Sequence, residues 1–209
     1  LPMILTPRNL QITKLNSEDI FLCADVVVGV ALHNQAKTIK RCLCSIFEQE
    51  VPGRNVAVVL LDDQSSDDWI EQARNFLNRP EIIVLQGNCG SPSRTRNAIL
   101  DYIDENFLKA KWVARLDADD RFTCPQSLAA MCAKGDMVNA LYVLGGNRLN
   151  LSGKVINKEN PAKQELLSDN LALRILKEMA DGTARNELPS CNLLLATHSG
   201  WRYPDIRSA

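Results

Sequence analysis

The feature that most constrains the fold is a repeated alternation of apolar strands and amphipathic helices between residues 25 and 116. Residues 25–32 (DVVVGVAL) and 55–61 (NVAVVLL) are continuously apolar and rich in β-branched side chains. This is the pattern of strands that are buried on both faces of a parallel sheet. Shorter strands are predicted over 81–85 and 111–116. Strands that alternate with helices are joined by right-handed crossovers, so the sequence predicts an α/β fold with an open, twisted, mostly parallel sheet flanked by helices.

Breakers and capping residues set the boundaries of the other predicted elements. Pro2 and Pro7 disfavour a helix near the start, so residues 1–24 are interpreted as an N-terminal arm before one domain over 25–209. Helices are predicted over 35–50, from Ser66 or Asp67 to about 78, over 93–108, over 125–133 and over 170–179. Further strands are predicted over 139–147, over 154–156 as its partner, and over 189–196.

The composition excludes several classes of protein. The 209-residue chain is 45% hydrophobic and has a net charge of -1, so it carries no overall field that would attract nucleic acid or an anionic membrane. Its longest apolar run, 24–32, is far shorter than the roughly 20 residues that cross a bilayer. The seven cysteines form no Cys-x-x-Cys pair, which favours reduced thiols over a zinc site. We therefore expect a cytoplasmic protein without nucleic-acid partners.

An acidic cluster, Asp117, Asp119 and Asp120, directly follows the predicted strand 111–116. Crowded carboxylates destabilise one another unless a cation, an arginine or solvent compensates them, so the cluster is either a divalent-metal site or an acidic turn in water. Two other polar loops also follow strands, one at His33-Asn34 and one at Asp62-Asp63. In open parallel sheets ligands bind outside the carboxyl ends of the strands, and convergence of three polar loops there favours an active site.

Four segments in order resemble the signature of family 2 glycosyltransferases, which have the Rossmann-like GT-A fold. They are VVGVALHN at 27–34, LLDDQSSD at 60–67, the Arg-Asn pair at 96–97, and LDADD at 116–120. Each motif alone is weak, but their order and spacing together are specific. The resemblance implies a nucleotide-sugar-binding part over 25–125 and an acceptor-side part over 126–209.

The resemblance also implies an activity. A nucleotide-diphospho-sugar, with UDP-sugar as the leading choice, would donate its sugar with inversion to the hydroxyl of a saccharide, lipid-linked or protein acceptor. The diphosphate would be bridged by Mn²⁺ or Mg²⁺, which takes only one or two carboxylates and keeps several waters. Nucleotide-binding roles fall on Ala31, His33, Asp63, Arg96 and Asp117, and metal ligation on Asp119 with Asp120 as second choice.

Within that set, His33 and Asp63 are expected to contact the nucleobase of the donor, and Asp117 is expected to contact its ribose. Arg96 either braces Asp63 or faces phosphate, and Asp62 either holds its turn or touches the ligand. The three tryptophans, Trp69, Trp112 and Trp201, are interpreted as core or rim residues rather than sugar platforms, although Trp201 lies where an acceptor wall is expected.

The general base is the departure from the family pattern. The family supplies it from a Glu-Asp pair soon after a segment resembling 204–207 (PDIR), and no such pair occurs before the last residue, Ala209. The expected base would therefore lie beyond Ala209. The remaining candidates within the chain are Asp205 and Glu187, neither of which is in the matching place. We expect a truncated chain, or the first domain of a longer protein, that binds donor but transfers poorly.

Other function classes remain open at this point. A non-catalytic nucleotide-sugar-binding module is compatible with the missing base. A nucleotidylyltransferase would need a glycine-rich, arginine-containing phosphate loop after the first core strand, and residues 31–35 contain no glycine. A receiver-like phosphoacceptor would leave the late acidic cluster unexplained.

Overall fold

The computed structural model describes residues 13–14, 23–138, 142–144, 147–149, 155–158 and 193–203. The described part contains a seven-stranded sheet, a separate two-stranded sheet and four helices. The strands are β1 (Thr13–Lys14), β2 (Val26–Leu32), β3 (Val56–Asp63), β4 (Ile82–Gly87), β5 (Trp112–Asp117), β6 (Tyr142–Leu144), β7 (Asn147–Leu149), β8 (Val155–Lys158) and β9 (Leu193–Ala196). The helices are α1 (Ile39–Phe47), α2 (Trp69–Leu77), α3 (Pro92–Asn106) and α4 (Ser127–Val138).

The large sheet has the order β1-β4-β3-β2-β5-β9-β6. Strands β4, β3, β2 and β5 pair in parallel, whereas β1 and β9 run antiparallel to their neighbours. The chain leaves β2 towards β3 and β4, then returns to the other side of β2 as β5. This reversal is a topological switch point, where such sheets place their ligands. The predicted open, mostly parallel sheet is confirmed.

Alternate residues of the central strands face opposite layers of the core. Val26, Val28 and Val30 pack with α1, α2 and α4, while Val27 on the same strand packs with α3. Helices therefore cover both faces of the sheet, which explains why the central strands are apolar without alternation. Trp69 and Trp112 lie fully within this core, as predicted.

Several predicted boundaries differ from the structure. Strand β3 extends through Asp63, because Asp62 and Asp63 pair with Gln86 and Gly87 of β4 and so lie in the strand rather than in a turn. Neither Ser66 nor Asp67 caps α2, since the helix begins after Asp68, which makes no side-chain cap bond. The Asp67 carboxylate instead accepts from the backbone N–H of Ala36 at 2.7 Å.

The second half differs more. Helix α4 is longer than predicted and reaches Val138. The strand predicted over 139–147 is two strands, since β6 joins β9 in the large sheet while β7 pairs with β8. The predicted helix over 170–179 and most of the arm over 1–24 lie outside the described residues. None of the described helices combines the length and the apolar character needed to cross a membrane.

Helix α4 packs closely against β5 where Gly135 contacts the indole ring of Trp112. A Cβ atom at Gly135 would lie 2.6 Å and 2.7 Å from two ring carbons of Trp112. The neighbouring Asp136 accepts a hydrogen bond from the Trp112 indole N–H at 3.1 Å. The indole is 1% exposed and cannot swing away, so the close approach requires glycine.

We expect Gly135→Ala to destabilise the protein, although alanine is the better helix former. The overpacking against Trp112 costs roughly 1–3 kcal/mol, whereas the helix-propensity gain is about 0.5–1 kcal/mol. Urea denaturation measures the difference in free energy of unfolding. Ala130→Gly, an exposed change in the same helix, serves as the control for propensity alone. A Gly135→Ala protein that is more stable than wild type would contradict the tight packing.

Asp136 gives the stability of this region a pH dependence. Hydrogen bonds from Lys111, and then from Arg54 and Trp112, hold the pKa of its carboxyl below the ordinary value of 3.8. Because the folded pKa is the lower one, the stabilisation is complete above the unfolded pKa and disappears as the pH falls through the folded value. The stability difference between wild type and Asp136→Asn should be clear at about pH 7 and vanish well below about pH 4. Urea midpoints at both pH values test this, and a constant difference would contradict it.

Candidate functional site

A cavity of about 480 Å³ opens at the carboxyl ends of β2, β3 and β5, beside the switch point. This volume is in the range of small-molecule sites. Its wall combines the loop after β2, the end of β3, the start of α3 and the acidic loop after β5. The cavity thus brings together six residues selected from the sequence: Ala31, His33, Asp63, Arg96, Asp117 and Asp119.

The loop after β2 is tied to the loop after β3. The Nδ1 of His33 lies 2.6 Å from the backbone carbonyl of Asp63, so it donates, and Nε2 accepts from the side-chain amide of Asn34 at 3.0 Å. Asn34, in the left-handed region at φ 53°, accepts from the backbone N–H of Ser66 and donates its own N–H to Ser65 Oγ. The imidazole is therefore held in one orientation, with its exposed ring at the cavity wall.

Asp63 fixes the loop that precedes α3. Its Oδ1 accepts from the backbone N–H groups of Cys89 at 2.6 Å and Gly90 at 3.4 Å, and its Oδ2 accepts from the Thr95 hydroxyl at 2.9 Å. Each carboxylate oxygen has two lone pairs, so the group can still accept from a ligand. The contact with Thr95 was not expected, because nothing in the sequence distinguishes that hydroxyl from others in the helix.

Asp62 has a purely local contact. It is 2% exposed, and its Oδ1 accepts from the backbone N–H of Ser65 at 3.0 Å. Of the two alternatives left by the sequence, the structure shows the one in which Asp62 holds the turn.

Asp117 is held by two arginines. Nη2 of Arg115 lies 2.6 Å from both carboxylate oxygens, and Nη2 of Arg96 lies 3.2 Å and 3.3 Å from them. Of the two alternatives for Arg96, the structure does not show the brace of Asp63, since Arg96 reaches Asp117 and Thr95 contacts Asp63. Arg115 was missed, although a period-two reading places residues 115 and 117 on one face of the strand. A charged residue inside an otherwise apolar strand was the available signal.

The acidic loop after β5 is anchored through its backbone. The N–H of Ala118 donates to the Ala31 carbonyl at 3.2 Å, and the N–H of Asp120 donates to the Asp117 carbonyl at 2.9 Å. Arg41 of α1 donates to the backbone carbonyl of Asp119 at 3.1 Å, leaving the Asp119 carboxylate exposed at the cavity. One carboxylate oxygen from each of Asp117, Asp119 and Asp120 lies within 4.8 Å of the others.

This donor set fits a hard divalent cation. Mg²⁺ and Mn²⁺ prefer carboxylate oxygens and need few of them when phosphates and water complete the coordination. The charge of Asp117 is already compensated by Arg115 and Arg96, whereas the Asp119 carboxylate is exposed, so Asp119 would be the better ligand of these two.

The acidic cluster also affects a thiol beneath it. Cys42 is buried, and its S–H donates to the backbone carbonyl of Asp117 at 3.7 Å. Burial raises the pKa of the Cys42 thiol, and the carboxylates of Asp120, Asp117 and Asp119 raise it further. The thiol stays protonated and acts as a small core group rather than as a nucleophile.

The late segment 197–203 lies against α3 near the cavity. Trp201 is partly buried and meets the Tyr203 ring edge-on, with ring centroids 4.5 Å apart. The two candidates for the general base, Asp205 and Glu187, lie outside the described residues, as does the last residue, Ala209. The role of Asp205 and the expectation that the family's base lies beyond Ala209 therefore both stay predictions.

Two proteins with similar sequences are named for succinoglycan biosynthesis and for N-acetylglucosaminyl transfer. The succinoglycan biosynthesis protein ExoO of Rhizobium meliloti is 33% identical over 127 residues, which are 60% of this chain and 34% of that protein. The poly(ribitol-phosphate) beta-N-acetylglucosaminyltransferase TarS of Staphylococcus aureus is 30% identical over 95 residues, 44% of this chain and 16% of that protein. The chain therefore spans about a third of ExoO and less than a fifth of TarS.

Solved structures and a family model agree with this similarity. S. aureus TarS 1–349 in complex with UDP matches with a TM-score of 0.51 at 26% identity, over 64% of this chain and 38% of that one. The mannosyltransferase PcManGT from Pyrobaculum calidifontis, in complex with GDP-Man and Mn²⁺, shares the fold with a TM-score of 0.50 at 21% identity, over 60% and 36% of the two chains. The family model for glycosyl transferase family 2 matches residues 27–148, more than half of the chain. The chain thus has the GT-A fold and belongs to glycosyl transferase family 2.

Proposed function

We propose that this domain binds a nucleotide-diphospho-sugar, with a UDP-sugar as the leading donor, and transfers the sugar with inversion to an acceptor hydroxyl. One observation carries the proposal: Asp63, Asp117 and Asp119 line a single cavity at the switch point of the sheet. UDP in TarS and GDP-Man with Mn²⁺ in PcManGT, two proteins of the same fold, support this class of donor.

In this proposal the nucleobase of the donor lies between the loops after β2 and β3. The His33 ring, fixed by Asp63 and Asn34, offers a flat face for stacking. The carboxylate of Asp63 accepts an N–H of the base with a remaining lone pair, and Ala31 lines the floor of the same cavity. A pyrimidine with an N–H, such as uracil, matches an acceptor of this kind.

The ribose and the diphosphate lie towards β5. Asp117 accepts hydrogen bonds from ribose hydroxyls, and its two arginines hold the carboxylate in place for them. Arg96 lines the cavity beside Asp117 and adds positive charge on the side of the phosphates. Asp119, with Asp120 as the second ligand, would hold Mn²⁺ or Mg²⁺. When bound, such an ion neutralises the charge that develops on the leaving diphosphate.

Inversion requires a base that takes the proton from the acceptor hydroxyl on the face opposite the leaving group. Asp205 remains a candidate, and a carboxylate from another part of the whole protein is the alternative. The acceptor, whether a saccharide, a lipid-linked sugar or a protein, is selected on this same side. The donor cavity and the acceptor side are therefore separable in experiments.

Isothermal titration with UDP, GDP and dTDP, each with and without Mn²⁺, tests the proposal. We expect one diphosphate, UDP, to bind best and to bind more tightly with the metal. UMP serves as the control, since it lacks the terminal phosphate and should gain less from Mn²⁺. Failure to bind any nucleotide under either condition would overturn the proposed function.

A further inference from the structure

The segment 197–203 is held against α3 by side chains on the helix. The backbone N–H of Tyr203 donates to Asn97 Oδ1 at 2.7 Å, and Asn97 Nδ2 donates back to the Tyr203 carbonyl at 2.9 Å. Arg202 forms ion pairs with Asp101 at 2.7 Å and Asp104 at 2.9 Å. These contacts fix the position of Tyr203 although it lies 106 residues from Asn97 in the chain.

The ring of Tyr203 contacts both arginines that hold Asp117. Its centroid is 5.6 Å from the guanidinium carbon of Arg96 and 5.4 Å from that of Arg115, which is the cation–π range. The Arg96 Nε and the Arg115 Nε and Nη1 are buried without a hydrogen-bond acceptor. The aromatic face therefore adds an attractive contact to two guanidinium groups that, apart from Nη2 on Asp117, keep buried nitrogens without an acceptor.

The surroundings strengthen this interaction. Arg115 is 5% exposed, and it lines a cavity of about 10 Å³ together with Arg96, Gly29 and Tyr203. A space of this size admits at most about one water, so the charges are weakly screened. The Tyr203 hydroxyl is buried without a partner, and burial raises its pKa to about 12, so the neutral ring is the group that acts.

We infer that Arg115 and Tyr203 are positioning residues of the donor site. The Tyr203 ring orients Arg96 and Arg115, these hold the Asp117 carboxylate in one orientation, and the docking of 197–203 on α3 is thereby a condition for tight donor binding. The inference rests on the proposed function, in which Asp117 accepts from the ribose. Preorganisation of this kind raises affinity because the carboxylate need not be ordered on binding.

A ring that only fills space predicts a different result. Loss of packing alone would lower the stability of the protein and reduce its affinity for all nucleotides alike. Loss of the Asp117 orientation instead reduces the contribution of the ribose hydroxyls to the affinity. The ratio of the Kd of 2′,3′-dideoxy-UDP to that of UDP measures this contribution. In the wild type we expect a ratio of about tenfold, the effect of hydrogen bonds to a charged group.

The test compares Tyr203→Leu with Tyr102→Leu. Tyr102 of α3 is also partly buried and packs against the same hydrophobic core as Tyr203, so it serves as the control. Tyr203→Leu should weaken UDP about fivefold and reduce the dideoxy ratio to about threefold, as expected from a lost cation–π contact. Tyr203→Phe, which keeps the ring, should restore both values, and Tyr102→Leu should keep the wild-type ratio. Thermal unfolding of each variant separates stability from affinity.

Arg202→Ala gives a second route if Tyr203→Leu does not fold. It cuts the ion pairs to Asp101 and Asp104 at a partly exposed position and should shift the dideoxy ratio in the same direction. A wild-type ratio in whichever of these two variants folds would overturn the inference alone. Absence of UDP binding by the wild type would overturn the proposed function and the inference with it.

Discussion

Replacing Asp119 by alanine is expected to lower the affinity for UDP in the presence of Mn²⁺ by about 100-fold, while metal-free binding changes by less than about threefold. The carboxylate of Asp119 is exposed at the cavity, and the loop that carries it is held by backbone contacts to Arg41 and Ala31. Removing the side chain therefore removes a metal ligand without releasing the loop. Calorimetry with and without Mn²⁺ measures both quantities.

Two further variants sharpen this prediction. Asp120→Ala should lose less of the metal effect, because Asp120 is the second ligand in the proposal. Glu71→Ala, which removes one negative charge at a side chain that is 61% exposed on α2, should behave as wild type. A metal dependence that survives in Asp119→Ala would show that the ion binds elsewhere.

The central sheet could be predicted because its sequence signal is strong. Continuous apolar runs such as that in β2 occur where both faces of a strand are covered, and residues 25–32 leave few other interpretations. The ends of the elements were less predictable. Asp62 and Asp63 look like turn residues, yet pairing with β4 keeps them in the strand, since tertiary contacts override local propensity.

The sequence predicted which residues lie in the site, but not the pairwise contacts between them. The motifs identified Asp63, Arg96 and Asp117, and the sheet edge brings them together. Thr95 contacts Asp63 and the next residue of α3, Arg96, contacts Asp117, a division between neighbouring positions that the motifs do not resolve. Tyr203 could not be identified for a stronger reason: its contact with Arg96 crosses more than 100 residues and depends on the docking of a late segment.

Asp63 provides the second large effect, because it supports the loop that closes one side of the cavity. Asp63→Ala should lower the free energy of unfolding by about 1–3 kcal/mol, since the N–H groups of Cys89 and Gly90 lose their acceptor and the Thr95 hydroxyl keeps only the Ser91 carbonyl. The same change should weaken UDP by about tenfold or more, as the loop that lines the cavity is released. Urea denaturation and calorimetry measure the two effects separately.

Asp63→Asn distinguishes the role of Asp63 in supporting the loop from its role in contacting the ligand. The amide oxygen can still accept from Cys89 and Gly90, and the amide N–H₂ can donate to the Thr95 hydroxyl, which itself donates to the Ser91 carbonyl at 2.9 Å. Stability should therefore stay within about 1 kcal/mol of wild type. UDP affinity should still fall several-fold, because an amide is a weaker acceptor than a carboxylate for the N–H of the base. Thr95→Val, which removes one donor to Asp63, should show the opposite pattern, a stability loss with a smaller change in affinity. If Asp63→Asn bound UDP as tightly as wild type, Asp63 would be a support of the loop and not a contact of the base.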